Sequence, residues 1–230
     1  MVARASRCAK HATGCGRSFD SIGEMLTLNA AEVRVLGSLM EKEMTTPEYY
    51  PLSLNALVNA CNQKSSRDPV MELSEAEVRS ALFELEQLGL VRVLADGRVS
   101  KFEHRAYDKL EVRRPEIAAL GLLLLRGAQT AAELRARAER MYSFDDTAAV
   151  TAVLERMAAR EDALVVQLAR QPGARESRWM HLLAGAVESS AVEQPAATVS
   201  FGGSVESRVQ ELEAVVKSLE ERIAALESRG

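Results

Sequence analysis

A six-residue pattern occurs twice in this chain: Glu32-Val33-Arg34-Val35-Leu36-Gly37 returns as Glu116-Ile117-Ala118-Ala119-Leu120-Gly121, with the acid, the apolar positions and the glycine in the same places. Self-similarity of this kind constrains the architecture before any single residue is interpreted, because each copy must build the same supersecondary unit. In the first copy the helix signals are explicit. Asn29 caps, Glu32 reaches back to it, and Val33, Leu36, Gly37 and Met40 share one face, so a helix runs to about Met44. Pro47 and Pro51 then break the chain. Ser53 caps a second helix, whose Leu54, Leu57, Val58 and Cys61 follow helical spacing. Ser74 and Glu77 form a capping box for a third, with Val78, Ala81, Leu82, Leu85 and Leu88 inward and Gly89 as its stop. Residues 90–94 and 99–104 read as strands joined by Asp96-Gly97, a pair suited to a type I′ turn. Three helices followed by a hairpin make a winged helix.

The second copy follows the same order. Pro115 suits a first helical turn, Thr130 and Glu133 box a helix through Met141, and Val150, Val153, Leu154 and Met157 match the third helix of copy one. Its strands are expected at 164–168 and 178–183, around Pro172-Gly173. The offset between copies is 84 residues at the first helix and 72 at the third, because copy one carries a longer connection within residues 45–73. The expected fold is therefore mainly α with small β-hairpins, an α+β chain of two tandem winged helices at 25–110 and 111–184.

Three further segments complete the organisation. Residues 1–24 read as a disordered leader, with Met25 as an alternative start, and the Ser-, Pro- and Gly-bearing stretch 185–204 reads as a flexible linker. Over 205–230, Val205, Val209, Leu212, Val216, Leu219, Ile223 and Leu226 alternate steps of four and three, which is a coiled-coil seam. β-Branched residues at a and Leu at d favour a parallel pair, and Arg208 would meet Glu213, and Arg222 Glu227, of a second copy. A homodimer through this tail is the expectation.

Composition narrows the function classes. The net charge of -4 withholds the bulk attraction to phosphate that basic nucleic-acid binders enjoy, so any nucleic-acid site must be a local patch. The longest apolar run, residues 117–125, falls far short of the ~20 residues that span a bilayer, so no membrane segment is expected. With no apolar signal region near the amino terminus and three cysteines, the chain reads as cytoplasmic and reduced.

Several stretches resemble a known family. Thr45-Thr46-Pro47-Glu48-Tyr49-Tyr50-Pro51-Leu52-Ser53, Ala60-Cys61-Asn62-Gln63-Lys64, and Arg67-Asp68-Pro69-Val70-Met71 closely resemble the YceH-like family of uncharacterised bacterial proteins. So do Leu125-Arg126-Gly127-Ala128-Gln129-Thr130, residues 138–142, and Arg175-Glu176-Ser177-Arg178-Trp179-Met180-His181-Leu182. The match covers roughly residues 28–185. The resemblance implies two winged-helix domains and a bacterial cytoplasmic protein, and no established activity.

A winged helix points first to DNA, read by the amino-terminal residues of its third helix. Here those residues are Ser74, Glu75, Ala76 and Glu77, and the equivalent tip of copy two, Phe144-Asp145-Asp146-Thr147, is acidic too. Acids at a helix start complement its dipole, and they also discourage insertion into a groove. Positive charge gathers on the wings instead, at Arg92, Arg98, Lys101 and Arg105, and at Arg170, Arg175 and Arg178. Those residues either grip phosphate or form solvated pairs with Glu103 and Glu176. The donor-rich run Asn62, Gln63, Lys64, Ser65, Ser66 and Arg67 either reads bases or caps the backbone of a long turn. Arg126, Gln129, Arg140, Tyr142, Arg178 and His181 are expected to form a hydrogen-bond network.

Chemistry has little to work with. Cys61 lies on an apolar stripe and reads as core, Cys8, His11 and Cys15 lack a fourth metal ligand, and His104 and His181 are lone wing residues. No catalytic, cofactor or metal residues are expected. The favoured reading is a dimeric, non-catalytic adaptor whose winged helices bind an unknown protein partner. The alternative is a DNA-binding transcriptional regulator contacting duplex DNA through Asn62, Gln63, Lys64, Arg67, Arg98, Lys101, Arg105, Arg175 and Arg178.

Overall fold

The computed structural model describes residues 26–95, 98–171 and 173–185. The expected leader, the tail seam, Cys8, His11, Cys15, the Asp96-Gly97 turn and Pro172 lie outside them, as does the linker beyond Gly185.

Helix α1, Ala30–Thr45, begins where Asn29 caps it: its side-chain oxygen accepts from the amides of Ala31 and Glu32 at 2.9 and 3.0 Å, and the Glu32 carboxylate accepts the Asn29 amide in return. A 3-10 turn over Pro47–Tyr49 leads to strand β1, Leu52–Ser53, and helix α2, Leu54–Cys61. Helix α3, Glu75–Gln87, carries the Ser74/Glu77 box. Strands β2, Val91–Leu94, and β3, Lys101–His104, follow, then one turn of helix, α4, Ala106–Lys109. The three strands form an antiparallel sheet in the order β1-β3-β2, with Phe102 opposite both Leu52 and Val93.

The second half repeats the plan with α5, Arg114–Arg126, α6, Ala131–Ala138, α7, Thr147–Ala158, and the antiparallel pair β4, Val165–Gln167, and β5, Trp179–His181. Where copy one has β1, copy two has a single bridge: Gln129 and Trp179 exchange both backbone hydrogen bonds, at 3.0 and 2.7 Å. The α6 helix ends at Ala138, three residues short of the expected Met141. The expected division at 110/111 falls between α4 and α5.

One core runs through both copies. Every residue from Glu32 to Met40 on α1, and from Glu116 to Leu125 on α5, is buried, because the two helices pack on each other while each also covers its own copy. Glycines permit the approach. A Cβ on Gly37 would stand 3.0 Å from Leu124 Cβ, and one on Gly121 would stand 3.4 Å from Met40 Cβ. At the 84-residue offset Gly37 corresponds to Gly121 and Met40 to Leu124, so the same contact is made twice with the copies exchanged. That reciprocity is the signature of an isologous contact, here formed within one chain. Among the described residues no helix is long and apolar enough to cross a membrane.

Candidate interaction surface

On α3 the amide of Ser74 and its hydroxyl both donate to the Glu77 carboxylate, at 2.7 and 2.6 Å, and these bonds hold the Glu77 carboxyl below the usual range. Val78, Ala81, Leu82 and Leu85 point inward. The helical period then assigns Ala76, Ser80, Phe83 and Gln87 to the outermost stripe, all exposed, with Glu75 and Glu86 along one edge and Glu77 and Glu84 along the other. Phe83 is 59% exposed at the middle of this stripe. The face's one cation, Arg79, is tied to Glu75 at 2.8 Å. Sequence reasoning singled out the acids and overlooked the Phe, although its position off the inward stripe already marks it as solvent-facing. The matching face of α7 presents Ala148, Ala152, Glu155 and Ala159 and no aromatic.

The other candidates divide into bound and free. Arg67 is buried: it donates to Ala60 O at 2.8 Å, to Glu41 Oε2 at 2.6 Å and to Gln63 Oε1 at 3.0 Å. Asn62 holds the far end of the same connection, its amide group exchanging two 2.8 Å bonds with the backbone of Leu73. Asn62 and Arg67 are thus bonded to backbone groups of the connection, and the Gln63 side chain accepts from Arg67 and Lys42. Arg92 pairs with Glu103 at 2.6 Å and Arg105 with Asp108 at 2.7 Å. Arg178 donates to Ala128 O at 2.7 Å and leans on Glu133. Lys64, Arg98, Lys101 and Arg175 are exposed and have no carboxylate within ion-pair distance among the described residues.

The expected network of copy two does not form: among the described residues no hydrogen bond or ion pair joins two of its six members, which bond to other groups instead. Gln129 is buried, donates to Leu122 O and accepts from Arg137, a partner absent from the expected set. His181 is buried, with Nδ1 unpartnered, and burial pushes its pKa down to about 4.

His104 does have an acid. Its Nε2 lies 2.9 Å from Glu43 Oε2 on α1, while its Nδ1 accepts from the Ala106 amide at 3.3 Å, an arrangement that assigns the proton to Nε2. Burial opposes ionisation of Glu43, but hydrogen bonds from His104 and Tyr107, with the charge of Arg114, outweigh it and hold its pKa below the usual range. Burial and the same carboxylate push the Tyr107 hydroxyl up to about 12. With both imidazole nitrogens occupied, His104 has no lone pair to offer a substrate. Its job is to tie β3 and α4 to the carboxyl end of α1. Cys61 is fully buried and burial raises its thiol pKa, as its place on the apolar stripe requires. Among the described residues no cluster of three or more His, Cys, Asp or Glu is placed to hold a metal ion.

Residues 28–174 match the model of a protein of unknown function, DUF480. The chain belongs to that family. Similar proteins include a UPF0502 protein of Geotalea daltonii, 55% identical over 171 residues that cover 74% of this chain and 78% of the relative. A UPF0502 protein of Koribacter versatilis is 51% identical over 197 residues, 84% and 91% of the two chains. UPF0502 protein YceH of Salmonella paratyphi C is 48% identical over 206 residues, 86% and 95%. The DUF480 match begins two residues before α1 and closes between β4 and β5.

Proposed function

We propose that this DUF480 protein is a non-catalytic adaptor, two winged helices in tandem at 25–110 and 111–184, dimerised through the seam Val205, Val209, Leu212, Val216, Leu219, Ile223 and Leu226. The helix-strand-helix-helix-hairpin order of copy one and its β1-β3-β2 sheet support the winged-helix reading. The single observation that carries the adaptor reading is Phe83. On the helix that a DNA-binding winged helix lays in the groove, this chain exposes an aromatic ring between two rows of carboxylates. A ring rimmed by acids is repelled by phosphate and suits a protein segment with an apolar side chain between Lys or Arg residues.

The test uses the full chain. Phe83→Ala and the double reversal Glu84→Lys/Glu86→Lys are each expected to release a basic, apolar-anchored protein partner at unchanged helix content. Duplex DNA binding is expected to be weak from the outset and to vanish at physiological salt. Tight, sequence-selective duplex binding that survives that salt would overturn the adaptor reading. One observation favours the alternative regulator: the exposed cations Lys64, Arg98, Lys101 and Arg175, whose joint replacement by Ala would then flatten the salt slope by about one per lost phosphate contact. Deleting residues 204–230 is expected to lower the oligomeric state by light scattering and leave the described fold intact.

A further inference from the structure

Two guanidiniums, Arg137 and Arg178, converge on Glu133 in copy two, and a third, Arg126, lies two residues from the Ala128 carbonyl that holds Arg178. Arg137 and Arg178 approach the same oxygen, Glu133 Oε1, each at 3.7 Å, too far for a hydrogen bond, so two cations share one carboxylate loosely. Each is held in place by its other nitrogen, Arg137 on Gln129 Oε1 and Arg178 on Ala128 O. The second oxygen of Glu133 accepts from the Thr130 amide at 2.9 Å, so a single carboxylate charge faces both guanidiniums. Arg126, at the last turn of α5, is half-buried and has no hydrogen-bond or ion-pair partner among the described residues. The connection packs against this spot, the Asp68 amide donating to Leu125 O at 2.9 Å. Burial, and then the charge of Arg137, lower the pKa of Arg126, with Asp68 and Glu133 only partly offsetting them.

A half-buried guanidinium without a partner, beside two others that share one acid, is a set of donors awaiting an anion. We propose that Arg126, Arg137 and Arg178 bind a small phosphorylated ligand, whose oxygens pair with Arg126 and take up the donors now leaning on Glu133. The forked donors of guanidiniums match the oxygens of phosphoryl groups. Bound there, the ligand would tie the 62–73 connection of copy one to α5, α6 and β5 of copy two.

Trp179, the chain's one tryptophan, follows Arg178 and is bonded through its backbone to Gln129, so its fluorescence reports on the site. The full chain is titrated with inorganic pyrophosphate at low salt, with thermal unfolding as a second readout. Expected are a saturable Trp179 response and a raised Tm, with affinity falling at least ~tenfold in Arg126→Gln, less in Arg126→Lys, which keeps the charge and loses the fork, and not at all in Arg98→Gln. Far-ultraviolet circular dichroism checks the fold of each variant, and the Lys variant is read in place of the Gln variant if that one unfolds. No saturable response to pyrophosphate, or equal loss in Arg98→Gln, would overturn the proposal. So would duplex binding that depends on Arg126 while pyrophosphate stays inert, which would assign the cations to nucleic acid.

Discussion

Replacing Gly37 and Gly121 by Ala, one at a time, puts the same methyl group at equivalent positions and is expected to change stability in opposite directions. Ala is favoured over Gly within a helix by about 1 kcal/mol, a gain common to both sites. At Gly37 the new Cβ would lie 3.0 Å from Leu124 Cβ, 3.0 Å from Leu125 Cγ and 3.1 Å from Leu125 Cδ2. Leu124 Cβ is fixed to the α5 backbone, so the clash is relieved only by moving helix from helix. Overpacking of this kind costs about 1–3 kcal/mol, which outweighs the propensity gain and leaves a net loss of roughly 1 kcal/mol. At Gly121 the neighbours are Met40 Cβ at 3.4 Å, Met141 Cε at 3.5 Å and Met40 Sδ at 3.9 Å, ordinary contacts of which two are the mobile ends of flexible side chains. There the propensity gain survives, for a net stabilisation of about 0.5–1 kcal/mol. Urea denaturation at constant slope reads both variants as shifts in midpoint. Gly37→Ala at or above the parent's stability would refute the account of the α1–α5 crossing, as would a Gly121→Ala loss as large as that of Gly37→Ala.

Three further outcomes are expected. His181 has a folded pKa of about 4, below the ~6.5 of an unfolded histidine, so the unfolded state takes up a proton first and this group's contribution is lost as pH falls from about 6.5 toward 4. Between pH 7 and 5 that amounts to about 2 kcal/mol, and His181→Leu should flatten the denaturation midpoint against pH over that window, whereas a parallel profile would exclude His181 as the cause. Arg67→Ala strands the carbonyl of Ala60 and the carboxylate of Glu41 and should cost about 3 kcal/mol, with proteolysis shifting to residues 62–73; an uncleaved connection would count against its role there. Cys61→Ala should cost on the order of 1 kcal/mol, and thiol reagents should label Cys61 only as fast as the chain opens; rapid labelling of the folded protein would contradict its burial.

What could be read in the sequence was local. The boxes at Asn29, Ser74 and Thr130 each need two residues three apart, and all three form. Strand β1 is two residues long, too short for any periodicity, and exists because β3 offers it an edge. The Glu43–His104 pair spans 61 residues, a separation at which sequence alone carries no signal of contact. Charge misleads in the same way at Arg34 and Arg67. A guanidinium reads as solvent-facing, yet both are buried, because the connection around them turns its backbone carbonyls inward and something must satisfy them.

Arg34 also explains where the two copies diverge. Its counterpart at the 84-residue offset is Ala118, an apolar residue in a fully buried helix, and the first helix of copy two needs nothing more there. In copy one the same position faces the extra connection, and Arg34 donates to Cys61 O at 3.1 Å and Pro69 O at 2.6 Å, one acceptor just before the 62–73 connection and one within it. An arginine is the side chain that reaches two separated carbonyls from one buried stem, since its donors diverge across a rigid plane. Burial lowers its pKa but leaves it charged, and that charge has no carboxylate in contact; Asp68 acts only at longer range. The insertion is therefore met by a buried charge on α1, and the shared α1–α5 core supplies the rigid floor on which that charge is held. Copy two, without the insertion, keeps the alanine, and the seam between them carries the unpaired Arg126.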